Sequence, residues 1–291
     1  MRFLDANTHY RNKYGAKVYR VAVSLDVTCP NRDGTKGTGG CIFCSAGGSG
    51  EFASKASQSI TDQIDSGIEL LSSKIKSDAK YICYFQSFTS TYCQASYLRE
   101  KLLDAACDPR IVAIAIGTRP DCLSDDILDV LSEVNSLCEV SVELGLQTSN
   151  ETTARLINRC YPLEVYDEAV KKLRLRRIEV VTHIILGLPN ETTEDALNTV
   201  RHALSCGTNG LKFTCLYVAS GTKLEELWRD GKYQELSMDE YFDMLDACLE
   251  IVPSDIVIYR ITGDCPKKIL LAPMWTANKR AVINYINNKY K

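Results

Sequence analysis

The chain has 291 residues, 45% of them hydrophobic and 24% charged, with a formal net charge of −3 at pH 7. That length suits one large α/β domain or two small ones, and no run approaches the roughly 18 apolar residues that a membrane span requires. The mild negative charge excludes the global basic field that drives nonspecific nucleic-acid binding, so any RNA contact must be local.

Residues 1–7 lack the long apolar stretch and small-residue cleavage site of a secretory signal, so a cytoplasmic protein with no membrane contact is expected. Two basic stretches stand out: Arg11, Lys13, Lys17 and Arg20, and later Lys171, Lys172, Arg174, Arg176 and Arg177. Solvated helix faces are the plainer reading of both. Thirteen cysteines, an odd and scattered number, fit reduced and mostly buried thiols better than disulfides.

Taken in chain order, strand-like runs alternate with amphipathic runs, without solenoid repeats or low-complexity linkers. Strands are expected at 19–27, 80–85, 111–117, 139–146, 180–186 and 211–218, with a possible seventh at 255–262. Helices are expected at 60–76, 96–106, 125–135, 164–176, 193–205 and 238–252, and an amphipathic terminal helix within 275–291. Ser124 and Thr192 stand where helix caps belong. Six strand–helix units make an incomplete parallel α/β barrel or an open doubly wound sheet, and both place functional residues past the carboxyl ends of the strands.

Past the first strand come Cys29, Cys41 and Cys44, spaced C-x11-C-x2-C. The glycines of the intervening loop let it fold back, and lengthening the gap from 3 residues to 11 adds only about 1 kcal/mol of closure entropy. Metal ligation outweighs that. A structural zinc site wants four protein ligands, whereas three thiolates leave one iron of a four-iron four-sulfur cluster open. The other cysteines, such as Cys83, Cys138, Cys160, Cys206, Cys215 and Cys248, read as core residues.

The loop from Thr28 to Thr35, the run Gly39-Gly40-Cys41-Ile42-Phe43-Cys44, the later Gly48-Ser49-Gly50 and the tail Arg260-Ile261-Thr262-Gly263-Asp264 resemble the bacterial radical S-adenosylmethionine (SAM) family called the YhcC/YtqA type, a relative of the elongator catalytic subunit. The resemblance implies one α/β domain over 1–291: a (β/α)6 radical SAM barrel over about 18–220, with short N- and C-terminal extensions, the latter about 221–291. It implies a four-iron four-sulfur cluster and SAM as cofactors, Phe43 against the SAM adenine, and Gln86 or Ser87 receiving the SAM amino group. The fourth strand resembles the one that meets the SAM ribose and carboxylate; by the two-residue period Glu143, Gly145 and Gln147 share a face. A salt bridge to a core arginine is the alternative for Glu143.

The run from His183 to Thr192 resembles the superfamily's G-x-I-x-G-x-x-x-E segment, with Ile185 touching adenine and Gly187 allowing backbone approach. His183 replaces the first glycine and is either an active-site group or a hydrogen-bonded core histidine. Thr118-Arg119-Pro120-Asp121 resembles a motif of the elongator relative, which makes Arg119 and Asp121 candidates for gripping SAM or substrate; a turn near a helix cap is the alternative.

The activity implied is reductive cleavage of SAM to a 5′-deoxyadenosyl radical, fed by an electron donor such as flavodoxin or ferredoxin. The kinship with elongator implies a tRNA partner and trimming of a wobble uridine's carboxymethylaminomethyl group to aminomethyl, with Arg260 and Lys212 as possible contacts. Two other classes stay open: a radical SAM enzyme acting on a small metabolite or porphyrin, and a noncatalytic zinc-bearing RNA module.

Overall fold

Residues 113–117, 140–147 and 210–215 alternate so that one face carries Val, Ile, Leu, Phe or Cys while the other carries small or polar groups, a pattern that buries one face against helices and turns the other toward a lumen. A computed structural model describes residues 3–48, 53, 56–72, 79–263 and 265–290. Ser49, Gly50, Asp264 and the end of the expected helix 60–76 lie outside the described residues.

In chain order the units are α1 (Ala6–Tyr14), β1 (Val18–Val23), α2 (Ile60–Leu71), β2 (Lys80–Phe85), α3 (Ala95–Ala106), β3 (Ile111–Thr118), α4 (Asp125–Asn135), β4 (Glu139–Gln147), α5 (Glu151–Leu156), α6 (Leu163–Leu175), β5 (Glu179–Leu186), α7 (Thr193–Ser205) and β6 (Gly210–Cys215). They are followed by β7 (Val218–Ala219), α8 (Lys223–Arg229), α9 (Met238–Glu250), β8 (Val257–Arg260), β9 (Leu270–Ala272) and α10 (Lys279–Tyr290). β1 to β6 and β8 form one parallel seven-stranded sheet in that order, curled into an incomplete barrel, and β7 pairs antiparallel with β9. The seventh strand, only a possibility in the sequence, therefore extends the sheet beyond six. The expected strand 211–218 is split: β6 ends at Cys215, and Val218 and Ala219 leave the sheet to pair with β9.

The outward faces of the strands and the inward faces of the helices make the main core, including Phe85, Ile114, Val142, Leu144, Val180 and Phe213. The helix starts anticipated at Ser124 and Thr192 are capped: Ser124 accepts from the Ile127 amide, and Thr192 with Asp195 forms a capping box. Such a cap is worth about 1 kcal/mol.

The sequence reading missed α1, whose one buried residue is Tyr10. The helix spans the gap between the edge strands: Asp5 bridges Ile258 of β8, and the Ile258 amide donates to the Leu4 carbonyl. Tyr10 then packs with Ile82, Tyr84, Ala113 and Ala115 on the inner face of the sheet. The open side of the barrel is thus stoppered at one end by an aromatic side chain.

Two expectations need correction. Cys160 and Cys206 are only half-buried, whereas Cys83, Cys138, Cys215 and Cys248 are buried. The terminal helix starts after Trp275 and packs through Tyr285 on Phe242 of α9, ring centroids 4.6 Å apart; Val282 and Tyr290 are buried but Ile283 is 55% exposed.

Candidate active site

At the carboxyl ends of the strands a cavity of about 350 Å³ opens, lined by Cys29, Cys41 and Cys44 among others. The long gap between the first two cysteines is closed as a small hairpin: the Lys36 and Gly37 amides donate to the Pro30 carbonyl, Asp33 bridges Thr38, and the Gly40 amide donates to the Asn31 carbonyl at 2.7 Å. Asn158 pins it from the β4–α6 side, donating to the Thr38 and Gly40 carbonyls. Arg32 donates to the Cys44 and Ser45 carbonyls. Asn31 Nδ2 donates to the Asn158 carbonyl and lies 3.6 Å from Cys41 Sγ, a donor placed to stabilise a thiolate. Burial, then the neighbouring Cys44, pushes the Cys41 thiol up to about 12, with Arg119 opposing. A metal must therefore displace that proton.

Three thiols on the wall of a cavity with room beside them fit a cluster that keeps one iron for a ligand. They fit one zinc ion less well. Tetrahedral zinc brings sulfurs to within about 3.8 Å of one another. Among the described residues, the group of three His, Cys or carboxylate side chains whose ligand atoms all lie within 4.8 Å of one another is Asp167, His202 and Cys206. The loop cysteines do not form such a group, and that other trio sits on the outer helix layer away from the cavity.

The structure brings most of the sequence candidates to this cavity: Phe43, Gln86, Arg119, Glu143, Gln147 and His183 line it with the cysteines, as do Ile185 and Arg260. Phe43 and Ile185, 142 positions apart in the chain, pack against one apolar cluster that includes Leu188 and Leu216. Both also line the cavity and give it an apolar wall. Glu143, Gly145 and Gln147 share the inner face of β4, as the strand period requires. Gln147 stands at a break in the β4–β5 register with φ 64°, in the left-handed region, and an added Cβ on Gly145 would collide with its side-chain amide. Backbone strain of this kind costs about 1–3 kcal/mol and concentrates at functional sites.

Ser87, Asp121 and Gly187 are placed differently, outside the residues that line the cavity. Ser87 is buried and shares a hydrogen bond of 2.6 Å with Ser24. Asp121 receives both Nε and Nη2 of Arg119 at 2.9 and 2.8 Å, fixing the guanidinium that borders the cavity and lies over the Tyr161 ring. Gly187 turns with φ 85°, its carbonyl accepting from Tyr233, so the close approach it permits is to the segment before α9.

Deeper in the barrel, Glu143 is the hub of a charged cluster that the sequence only half disclosed. Its carboxylate meets Arg20 of β1, His183 Nε2 at 2.8 Å and Lys212 Nζ at 2.5 Å. Lys212 also reaches the Tyr84 hydroxyl at 3.0 Å, and Arg20 reaches Tyr10. The salt bridge weighed for Glu143 is thus present, and the residue borders the cavity as well; His183 is likewise both hydrogen-bonded and cavity-lining. Burial alone would raise the Glu143 carboxyl, but the charges of Arg20 and Lys212 and the His183 hydrogen bond hold it well below the usual range. Burial pushes Lys212 down to about 7 against the pull of Glu143, with Arg260 and Arg20 adding to the push. Burial and the Lys212 charge hold His183 down at about 4. The two partners of the Glu143–Lys212 pair differ because one anion serves several cations. Arg20 was visible in the sequence only as part of a basic stretch; its even position in β1, in step with Ala22, is the signal that it faces inward.

The basic stretches are largely spent on the chain's own acids. Lys13 pairs with Glu139, Lys172 with Asp125, Arg176 with Asp129 and Lys171 with Glu168, while Arg174 donates to Asn209. None of the described helices is long and apolar enough to cross a membrane.

A half-barrel with three cysteines after its first strand and an apolar wall in the cavity beside them defines a class of metal-cluster enzyme, and the comparisons agree. Residues 31–203 match the Radical SAM superfamily and residues 208–291 its Radical_SAM C-terminal domain. The chain belongs to the radical SAM superfamily, within the type represented by YtqA and YhcC, and takes a four-iron four-sulfur cluster and SAM as cofactors. It is 41% identical to the uncharacterized protein YtqA of Bacillus subtilis over 99% of this chain and 89% of that protein. With the protein YhcC of Escherichia coli it shares 33% over 92% and 85%. Elongator complex protein 3 of Schizosaccharomyces pombe is 30% identical over 60% of this chain, a match that covers 32% of that protein. The solved Elp3 of the archaeon Methanocaldococcus infernus superposes with a TM-score of 0.70 at 19% identity, over 94% of this chain and 63% of that one, which shows the shared fold.

Proposed function

We propose that this enzyme cleaves SAM reductively at a cluster held by Cys29, Cys41 and Cys44 and uses the product to trim the carboxymethylaminomethyl group of a tRNA wobble uridine to aminomethyl. The observation that carries the reading is the cavity that the three thiols, the apolar residues Phe43 and Ile185, and Glu143 with His183 and Lys212 line together. The bound cofactors would supply the hard redox step, a carbon radical able to take a hydrogen atom from the carboxymethyl methylene; return of one electron from that carbon to the oxidised cluster and addition of water would then break its bond to nitrogen and release the two carbons as glyoxylate. The chain's own residues hold and shield. Phe43 and Ile185 would flank the adenine, Gln147 and Gln86 offer amide groups to the polar part of SAM, and Arg119, locked by Asp121, brings a fixed positive charge to the edge of the cluster loop. Tyr10 and Tyr84 close the lumen from below, so that water and stray hydrogen donors are kept from the reacting centre.

As for other members of the superfamily, a reductant is required; a flavodoxin or ferredoxin fits that need. The tRNA assignment is supported by the likeness to the elongator proteins over the barrel and by a cavity open at one end to a substrate arm. Analysis of tRNA nucleosides from a strain lacking the gene tests it: carboxymethylaminomethyluridine should accumulate at the expense of the aminomethyl form. An unchanged wobble-uridine profile would overturn it.

A further inference from the structure

Charge around the inner end of the cavity does not balance. Glu143 is the one carboxylate among the described residues lining it and is already paired with Arg20, which lies outside the lining, while Lys212 and Arg260 both line the cavity beside it. The ring nitrogen of His183 that meets Glu143 adds no charge while neutral. Lys212 and Arg260 are register partners on β6 and β8, so their side chains leave neighbouring strands at the same level of the barrel. Arg260 spends Nη2 on the Thr214 hydroxyl at 2.7 Å, but its Nε is buried without a hydrogen-bond partner. A buried unmade hydrogen bond from a charged group costs on the order of 1–3 kcal/mol, a cost a bound acceptor would remove. The unsatisfied donor, the surplus positive charge and the room beside them ask for the same thing: a compact anion with planar acceptors.

We propose that Lys212 and Arg260 form the seat of a carboxylate on the substrate arm that enters the barrel. This rests on the reading of the cavity as the substrate site and deepens it, since the carboxymethylaminomethyl arm ends in such a group and its aminomethyl product does not. Seating the carboxylate fixes the adjoining methylene, and loss of the charged end on trimming releases the product. The methionine carboxylate of SAM is the other source of the same chemistry, and the test separates the two.

The test uses the full chain, reconstituted with iron and sulfide under anaerobic conditions, and equilibrium binding of two probe pairs: 5-carboxymethylaminomethyluridine against its carboxamide, and N-butylglycine against N-butylglycinamide. The unsubstituted enzyme should prefer the acid of each pair by about tenfold or more. Arg260→Gln and Lys212→Met should each bring the ratio close to one; circular dichroism checks that they fold, and Arg260→Gln, the less buried position, carries the test should Lys212→Met unfold. Loss of acid preference with SAM affinity retained supports the seat. A parallel loss of SAM affinity assigns it to the cofactor and overturns the proposal, as does equal binding of acid and amide by the unsubstituted enzyme. Acid preference for N-butylglycine with no binding of either uridine would retain the seat and sink the uridine reading instead.

Discussion

Replacing Glu143 by glutamine removes the negative charge from the centre of the cluster and keeps nearly the same shape. Arg20, Lys212 and His183 then face one another with no carboxylate between them. Removing one partner of a buried ion pair costs about 3–5 kcal/mol, because the charge left behind has lost its compensation without regaining water. The Glu143 side chain is 0% exposed, but Arg20 and His183 keep 26% and 25% of theirs exposed, which places the expected loss at the lower end, about 3 kcal/mol. Over 291 residues an unfolding entropy of about 2.1 cal/mol/K per residue turns that into a fall of roughly 5 °C in melting temperature. Calorimetry of the apoprotein under anaerobic conditions measures it. Combining Glu143→Gln with Lys212→Met should cost at least about 1 kcal/mol less than the sum of the two single changes, since the double variant lacks the stranded ammonium. A melting temperature within 1 °C or so of the unsubstituted protein, or strict additivity of the pair, would refute the hub.

Alanine at Cys29, Cys41 or Cys44 should each abolish iron and sulfide uptake and SAM cleavage, read by absorbance near ~400 nm and by 5′-deoxyadenosine release; alanine at Cys206 should leave both intact, and equal loss there would show that the loop is not the cluster site. His183 gives the pH dependence its sign. Its folded value of about 4 lies below the unfolded value of about 6.5, so the folded state binds fewer protons and stability present above pH 6.5 drains away as pH falls toward 4. Glu143, held below its ordinary range, adds a further loss below about pH 4.5. Lys212, lowered to about 7, acts in the same direction but between its unfolded value of about 10.4 and 7. Urea unfolding at pH 7, 5.5 and 4.5 should therefore show a steeper decline for the unsubstituted protein than for His183→Gln; parallel slopes would remove His183 from the account.

What the sequence disclosed and what it withheld divide along the range of the forces involved. Period-two alternation is local, so the inward row Glu143, Gly145 and Gln147 could be read from β4 alone, and turn-rich chemistry around Cys29, Cys41 and Cys44 announced the loop before its hairpin was seen. The partner of Glu143 was another matter. Arg20 lies 123 positions away, and a basic residue in a basic stretch looks the same whether it meets solvent or a buried carboxylate. Only the closure of the barrel, which brings β1 into reach of β4, β5 and β6, gives it that role. The stopper helix escaped for a related reason: α1 is polar along most of its length, buries one tyrosine, and is held by contacts distant in sequence, Lys13 and Tyr14 with Glu139 and residues 4 and 5 with β8. Ser87, Asp121 and Gly187 show the converse. Each sits one or two residues from a cavity-lining position, where a loop's turn rather than its composition decides the direction of a side chain; the residues so turned away now hold Ser24, Arg119 and Tyr233 in place. A motif therefore locates a site to within a turn of chain, and the tertiary fold decides which of its residues touch the chemistry and which steady those that do.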